Sequence, residues 1–323
     1  TGIDNHFFAN AILNDKNLNN KIFKKDVRDL DESFITNFDV VILLAGISND
    51  PLDKKKEDFF YQPSLEYSIF VADICKKHKL KLIFPSSCSV YGFNKDTVSE
   101  ESLTNPLTGY SRNKVEIENY LIKISNNHFN PIILRFATIY GMSPRMRFDL
   151  VINMLVGMAI TKKRIILNSD GESWRPHLHI DDAIKSIIYS IDFNNFKDHM
   201  IVNVGQNQDN LKIIDIAKII SKKCKCPIEF LSDSKFSKID FFNDRKIINN
   251  RDQRSYIVNF DKIKKIFKNF KFSWELESGI DDLVEQLILS KLDEKLFLKR
   301  EFYRLQQLEY MYNNNIINEK LEF

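Results

Sequence analysis

Residues 80–92 read LKLIFPSSCSVYG and combine a short apolar run with a hydroxyl-rich turn. Residues 80–85 have the length and apolar character of a strand buried inside a sheet. The serines that follow would stand at the carboxyl end of that strand, which is where parallel sheets bind their ligands. The segment therefore predicts a parallel sheet with a polar site at this edge.

Strand and helix patterns alternate on both sides of this segment. Residues 40–45, 131–137 and 200–204 predict further strands, and residues 66–77, 110–124, 181–191 and 211–221 have helical periodicity. The alternation predicts an α/β fold, a doubly wound, Rossmann-like parallel sheet with a smaller C-terminal substrate domain. We assign residues 1–142 to the Rossmann-like domain, with 176–204 packing back on it, 143–279 mainly to the substrate domain, and 280–323 to a helical tail. Residues 228–255 are polar and predict a loop-rich surface.

The composition argues against several classes of protein. The 47 basic residues are interleaved with 44 acidic ones, whereas a nucleic-acid-binding protein concentrates its basic residues in one patch. The longest apolar stretch, residues 40–47, is far shorter than the ~20 residues of a membrane helix. The four cysteines and six histidines lack the spacing of a disulfide framework or a metal site. We expect a cytoplasmic protein without a metal, a nucleic-acid partner or a membrane partner.

Tyr110 and Lys114 lie four positions apart in the predicted helix 110–124, so their side chains share one face. The ammonium of Lys114 would favour the phenolate of Tyr110 and lower a pKa that is ordinarily about 10. A tyrosine in this state can accept a proton from a sugar hydroxyl near neutral pH. Ser87, at the predicted strand end, could donate a hydrogen bond to the same oxygen. This combination favours a catalytic site over a solvated helix face and a Ser-rich turn.

On these residues the chain resembles the extended short-chain dehydrogenases/reductases, in the NAD-dependent epimerase/dehydratase family that acts on nucleotide sugars. The similarity covers most of the chain, and its pieces occur in the family's order. They are Asp4, Asp26 with Val27, residues 44–46, 86–92, 110–114, 134–141, 175–181 and 203–205, and the segment 251–262.

The resemblance implies NAD as the cofactor and assigns roles to single residues. Ser87, Tyr110 and Lys114 would be catalytic, with Tyr110 as the base and Lys114 also binding the nicotinamide ribose. Asp4 would bind the adenosine ribose, and Asp26 and Val27 the adenine edge. Ala45 and Gly46 match the family's small residues that let the cofactor lie against the end of a strand. The remaining cofactor positions are Leu44, Ala45 and Gly46, and the substrate positions, which include Ser87, are Thr138, Arg145, Arg147, Arg175, Arg251 and Arg254.

Three departures from the family pattern bear on the function. Family dehydratases carry an Asp-Glu pair directly after the catalytic Ser/Thr, and here Cys88 and Ser89 hold those positions, which disfavours a 4,6-dehydratase. Cys88 also lies one position before the cysteine of the family's 3,5-epimerases, and Thr138 replaces a frequent Asn. No Gly-rich phosphate-binding turn occurs, so we expect the family's first strand, turn and helix to be absent from this sequence.

The sequence leaves three functions open. The first is epimerisation of a nucleotide-diphosphate sugar, at C4, through a keto intermediate with Tyr110 as the base. The second is a nucleotide-sugar dehydrogenase, which would release the keto sugar. The third is a fragment or a relative that binds a nucleotide sugar without catalysis. By resemblance we also expect a homodimer that pairs through two helices of each subunit, one of them the helix carrying Tyr110. Ile117, Leu121 and Ile124 form an apolar stripe on that helix, which is compatible with a dimer and equally with ordinary core packing.

Overall fold

The computed structural model describes residues 1–13, 22–48, 57–193, 199–230 and 254–323. Its strands are β1 Gly2–Asp4, β2 Ile22–Lys24, β3 Val40–Ile42, β4 Lys81–Ser87, β5 Phe93–Val98, β6 Ile132–Phe136, β7 Thr138–Tyr140, β8 Ile165–Leu167, β9 Trp174–His179, β10 Met200–Val204, β11 Asn210–Lys212, β12 Ile228–Phe230 and β13 Ser255–Val258. Its helices are α1 Glu32–Ile35, α2 Glu57–His78, α3 Gly109–Ile124, α4 Val151–Thr161, α5 Ile180–Asp192, α6 Ile213–Cys224, α7 Asp261–Ile266, α8 Leu276–Leu289, α9 Glu294–Phe297 and α10 Arg304–Asn313.

A four-stranded parallel sheet with the order β10-β6-β4-β3 organises the molecule. Strand β4 alternates its side chains between two hydrophobic clusters, because successive strand residues point to opposite faces. Leu82 and Phe84 pack with Ile117 and Leu121 of α3 on one face. Ile83 packs on the other face, in a separate cluster that includes Val202 of β10. Apolar clusters on both faces confirm the predicted doubly wound α/β fold.

Smaller sheets surround this one. Strands β1 and β2 form a parallel pair, β7 and β9 pair in parallel within a three-stranded sheet, and β5 pairs in parallel with β13. A further cluster joins α4, α6 and α8 around residues that include Leu155, Ile216 and Leu283. The tail after α8 is helical, as predicted, and it packs on the body of the chain.

Several predicted boundaries differ from the observed ones. Helix α2 begins at Glu57, nine residues before the predicted start, and contains Pro63. Leu211 was expected in a helix but belongs to β11, which pairs antiparallel with β9. The sequence predicted a strand over residues 40–45, yet β3 ends at Ile42 and is only half-buried. Most of the predicted loop-rich stretch 228–255 lies outside the described residues, with β12 and β13 at its ends.

The apolar stripe of α3 has its partner within the chain. Ile117, Leu121 and Ile124 are all buried in the cluster between α3 and the sheet. The stripe is therefore part of the core, and the predicted homodimer gains no support from it. None of the helices in the described ranges is long and apolar enough to cross a membrane.

Candidate active site

The candidate site lies where β4 ends and α3 begins. Ser87 ends β4, and its Oγ accepts a hydrogen bond from the backbone N–H of Ser89 at 3.1 Å. This contact fixes the hydroxyl oxygen and leaves its proton available for donation. Gly92 follows the turn with a φ of 63°, and a Cβ there would lie 1.8 Å from the carbonyl oxygen of Asn105. A glycine is thus required where the chain leaves the site.

Tyr110 and Lys114 lie on the first turns of α3, whose N-terminus is capped by Thr108. The Nζ atom of Lys114 lies 5.8 Å from the centroid of the Tyr110 ring. It donates a 2.8 Å hydrogen bond to the carbonyl oxygen of Pro85, two residues before Ser87. Burial lowers the pKa of Lys114 to about 8, while the charge of Glu118 acts in the opposite direction. The ammonium therefore contacts the strand that carries Ser87 and lies near the phenol ring.

A buried ionic network lies one turn further along α3. Glu118 receives hydrogen bonds from Arg135 Nη2 at 2.6 Å and from the hydroxyl of Ser86 at 2.5 Å. Arg135 Nη1 also donates to the Tyr91 hydroxyl at 3.0 Å, and that hydroxyl donates to Asn203 Oδ1 at 2.8 Å. Burial opposes the charge on Arg135, but its bonds to Glu118 outweigh this and raise its pKa. The network joins the helix of the Tyr/Lys pair to three strands of the sheet.

The sequence did not identify Glu118 or Arg135 as site residues. A signal for Glu118 existed, because it follows Lys114 by four positions and so shares its helix face. Its partner Arg135 is 17 residues away on another element, so the pairing is visible only in the fold.

Residues expected to hold the cofactor stand at strand ends. Asp4 ends β1, and its Oδ2 accepts a 2.7 Å hydrogen bond from Arg145 Nη1. Asp26 caps the short helix Val27–Asp29 and is held by Arg28 at 2.7 Å. Burial opposes the charge on Asp26, but the hydrogen bonds from Arg28 outweigh it and lower the pKa of the carboxyl.

A cleft of about 450 Å³ opens beside Asp26 and is lined by Asn5 and Arg28, among others. Leu44, Ala45 and Gly46 follow β3, and Leu44 is exposed. The cleft offers the carboxylates of Asp26 and Asp29 as acceptors for ribose hydroxyls and the cations of Lys24 and Lys25 as partners for phosphates, a combination that fits a dinucleotide of the NAD type. The residues present therefore fit the implied cofactor.

The arginines predicted to bind substrate fall into two groups. Arg175 is buried and donates through Nη1 to the backbone carbonyl of Arg254, so these two residues are neighbours. Arg145 and Arg147 belong to the loop after β7, and the side chain of Arg145 reaches Asp4 at the end of β1. Arg147 binds Asp149 at 2.9 Å. The structure places Thr138 at the start of β7, and Arg251 lies outside the described residues.

The side chain of Cys88 lies in the core, where its thiol is not available to move a proton to or from a substrate. Its thiol is almost fully buried, 1% exposed, and donates to the backbone carbonyl of Arg135 at 3.2 Å. Burial raises the pKa of Cys88 well above its ordinary value. Within the described ranges, no group of three or more His, Cys, Asp and Glu side chains could hold a metal ion.

The C-terminal tail lies over this site. Tyr110 packs against a hydrophobic cluster whose buried members include Phe7, Leu308 and Met311. Gln307 donates from its amide to the carbonyl of Phe7 at 3.2 Å. At the other end of the tail, Arg28 donates to the carbonyl of Leu321 at 2.8 Å. Helix α10 and the residues after it therefore belong to the cluster that contacts Tyr110, and the end of the tail also lines the cleft beside Asp26.

Comparisons with known proteins identify similar sequences and structures. A family profile described as the NAD dependent epimerase/dehydratase family matches residues 1–205. An uncharacterised UDP-glucose epimerase of Bacillus subtilis (strain 168), YtcB, is 28% identical over 225 residues, which are 64% of this chain and 68% of the relative.

Two solved structures share the fold. The UDP-N-acetylglucosamine 4-epimerase from Methanobrevibacter ruminantium M1, in complex with UDP-N-acetylmuramic acid, superposes with a TM-score of 0.70 and 22% identity, covering 84% of this chain and 86% of that one. TunA, an NAD-dependent NDP-hexosamine 5,6-dehydratase involved in tunicamycin biosynthesis, also has a TM-score of 0.70, at 18% identity, covering 85% and 86%. At these identities the likeness establishes the fold.

Proposed function

Because the chain belongs to the NAD-dependent epimerase/dehydratase family, we propose that it epimerises a nucleotide-diphosphate sugar at C4. The observation that carries this proposal is the placement of Lys114. Its ammonium lies 5.8 Å from the ring centroid of Tyr110 and is hydrogen-bonded to the carbonyl of Pro85, next to Ser87. This placement supports a site in which Tyr110 is the base, Lys114 is the cation that favours its ionised form and Ser87 is the hydroxyl donor.

In this proposal Asp4, Asp26 and Gly46 would hold NAD, which would supply the acceptor and the donor of the hydride. Tyr110 takes the proton of the C4 hydroxyl as the carbon loses its hydride, which leaves a keto sugar. Ser87 donates a hydrogen bond to the same oxygen, and Lys114 stabilises the phenolate of Tyr110. The keto sugar would then turn over in the site, so that its opposite face is presented for reduction. Tyr110 gives its proton back to the oxygen, so there is no net oxidation.

Dehydration is the alternative that the fold of TunA raises. The two residues after Ser87 argue against a 4,6-dehydratase, because Cys88 and Ser89 carry no carboxylate to remove a proton and expel water. Both side chains are also buried, at 1% and 4% exposure. Epimerisation needs only the Ser/Tyr/Lys set.

The test is a product assay by nuclear magnetic resonance. The full chain is incubated with NAD and either UDP-glucose or UDP-N-acetylglucosamine, and the C4 epimer is measured. We expect the epimer to form in the wild type, and Tyr110→Phe to reduce the rate by about 10²–10⁴-fold, because the base is lost. Arg164→Met, which alters an exposed arginine, serves as the control and should leave the rate unchanged.

Three outcomes would contradict the proposal. Reduced nicotinamide that accumulates in proportion to the sugar consumed would indicate the dehydrogenase. An unsaturated or deoxy-keto product would indicate a dehydratase. Binding of the nucleotide sugar without turnover would indicate a non-catalytic relative. The homodimer and the cytoplasmic location stay predictions.

A further inference from the structure

Three arginines meet beside the carboxyl end of β1. Arg145 Nη1 is bonded to Asp4 at 2.7 Å, and its side chain is 23% exposed. Arg147 binds Asp149, and its Nη1 also donates to the Ser48 hydroxyl at 2.9 Å. Arg304, at the start of α10, donates from its backbone N–H to Asp149 Oδ2 at 3.1 Å.

The charged side chain of Arg304 has few interactions in the structure that offset the cost of its burial. Its guanidinium carbon lies 3.8 Å from the centroid of the Phe8 ring. Its Nη1 atom is buried and has no hydrogen-bond partner among the described residues. Burial, together with the charges of Arg147 and Arg145, lowers the pKa of Arg304 to about 9. A buried donor on a cation that lacks an acceptor is costly, so such a group in a native protein calls for an explanation.

The position of these arginines suggests the missing acceptor. Asp4 ends β1, Ser48 lies in the segment after β3, and Arg145 lies in the segment after β7. The cluster therefore brings together residues at or beyond the carboxyl ends of three strands. Ligands of open α/β sheets bind at the carboxyl ends of strands. Solvent reaches the cluster, because the side chains of the Arg145–Asp4 pair are 23% and 37% exposed.

We propose that Arg304 and Arg145 bind a diphosphate group. A planar guanidinium matches two phosphate oxygens, and an anion here would accept a hydrogen bond from Nη1 of Arg304 and offset the repulsion between Arg304, Arg145 and Arg147. This inference rests on the proposed function, since both NAD and a nucleotide-diphosphate sugar carry a diphosphate. It adds that a residue of the C-terminal tail takes part in binding it.

The test is calorimetric titration of the full chain with three probes: inorganic pyrophosphate, NAD and UDP. We expect Arg304→Met to weaken pyrophosphate binding about tenfold or more, because a charge-assisted hydrogen bond is lost while the packing on Phe8 is retained. The same loss with NAD but not UDP would identify the diphosphate of the cofactor as the ligand. The same loss with UDP but not NAD would identify that of the substrate. Arg164→Met is the matched control and should bind all three probes as the wild type does.

Thermal unfolding of the ligand-free variants separates binding from folding. Removing the charge of Arg304 also removes its repulsion from Arg145 and Arg147, so we expect Arg304→Met to have an unchanged or higher Tm. Arg304→Lys keeps the charge and should restore part of the affinity. Unchanged affinity of Arg304→Met for all three probes would overturn the proposal. It would also be overturned if Arg304→Met had a lower Tm and an equal loss of affinity for every probe, and Arg304→Lys restored none of that affinity. These binding measurements need no turnover, so a failed epimerase assay leaves them interpretable.

Discussion

Glu118 connects the ionic core of the protein to the proposed chemistry through its effect on Lys114. It follows Lys114 by one helical turn, and it is held by Arg135 and by the hydroxyl of Ser86. Its charge raises the pKa of Lys114 against the lowering effect of burial, which leaves that pKa at about 8. We therefore regard Glu118 as a positioning residue, one that acts through Lys114 and that does not touch the substrate.

Replacing Glu118 by Gln should move the alkaline limb of the pH–rate profile to lower pH. Lys114 is charged below its pKa, so the rate should fall as the pH rises through about 8 in the wild type. Without the carboxylate the pKa of Lys114 falls further, and the loss of rate begins earlier. The unpaired Arg135 should also lower the free energy of unfolding by about 3–5 kcal/mol.

The profile is measured as kcat against pH, at a temperature where the variant is folded. Glu116→Gln, which alters an exposed residue on the same helix, is the control and should keep the wild-type profile. An alkaline limb that stays in place in the Glu118 variant would show that the carboxylate only supports the fold.

At the residue scale, the candidate site residues that the sequence offers are those whose chemistry follows from a short spacing. Tyr110 and Lys114 are four positions apart, and Ser87 directly follows an apolar run, so both signals are local. Arg304 gave no such signal, because its neighbours Arg145 and Phe8 are distant in the chain. Whether its guanidinium is buried depends on how the tail packs, which no local pattern encodes.

At the scale of the element, the turn after Ser87 depends on Gly92. We expect Gly92→Ala to lower the free energy of unfolding by about 2–3 kcal/mol, because φ is positive and a Cβ would meet the carbonyl of Asn105. Urea denaturation measures the effect. Gly2→Ala is the control, since the nearest atoms to its Cβ belong to Ile22, with the closest in the flexible side chain at 3.2 Å. Equal losses in both variants would contradict this account.

Element types were easier to predict than element ends. Strand β10 was predicted at its observed bounds, Met200–Val204, and α3 differs from its prediction by one residue. The start of α2 was missed because Pro63 argues against a helix interior, although a helix can tolerate it at a cost. Leu211 fits a helical stripe by its apolar character, but its pairing with Arg175 places it in a strand. Pairings between distant segments decide such cases.

At the scale of the whole molecule, the tail is joined to the site by apolar contacts. Leu308 is fully buried in the cluster that Tyr110 contacts. We expect Leu308→Ala to destabilise the packing of α10 by about 2–5 kcal/mol, because a cavity replaces the lost side chain. Hydrogen exchange followed by mass spectrometry should show faster exchange in residues 304–313 and little change in the central sheet. Leu289→Ala, at a position that is 67% exposed, should leave the exchange of α10 as it is. Unchanged exchange in the Leu308 variant would show that the tail is held by its other contacts.

The pairing of β10 with β6 has a consequence for biosynthesis. Ile132 pairs with Met200, so β6 acquires its second neighbour only after residue 204 has left the ribosome. Until then one edge of β6, a strand that is apolar except for Arg135, is open to other chains. Pairings of this sequence separation form slowly. A nascent or recombinant piece that stops near residue 142 should therefore aggregate, whereas one that extends through β10 can complete the sheet around β6.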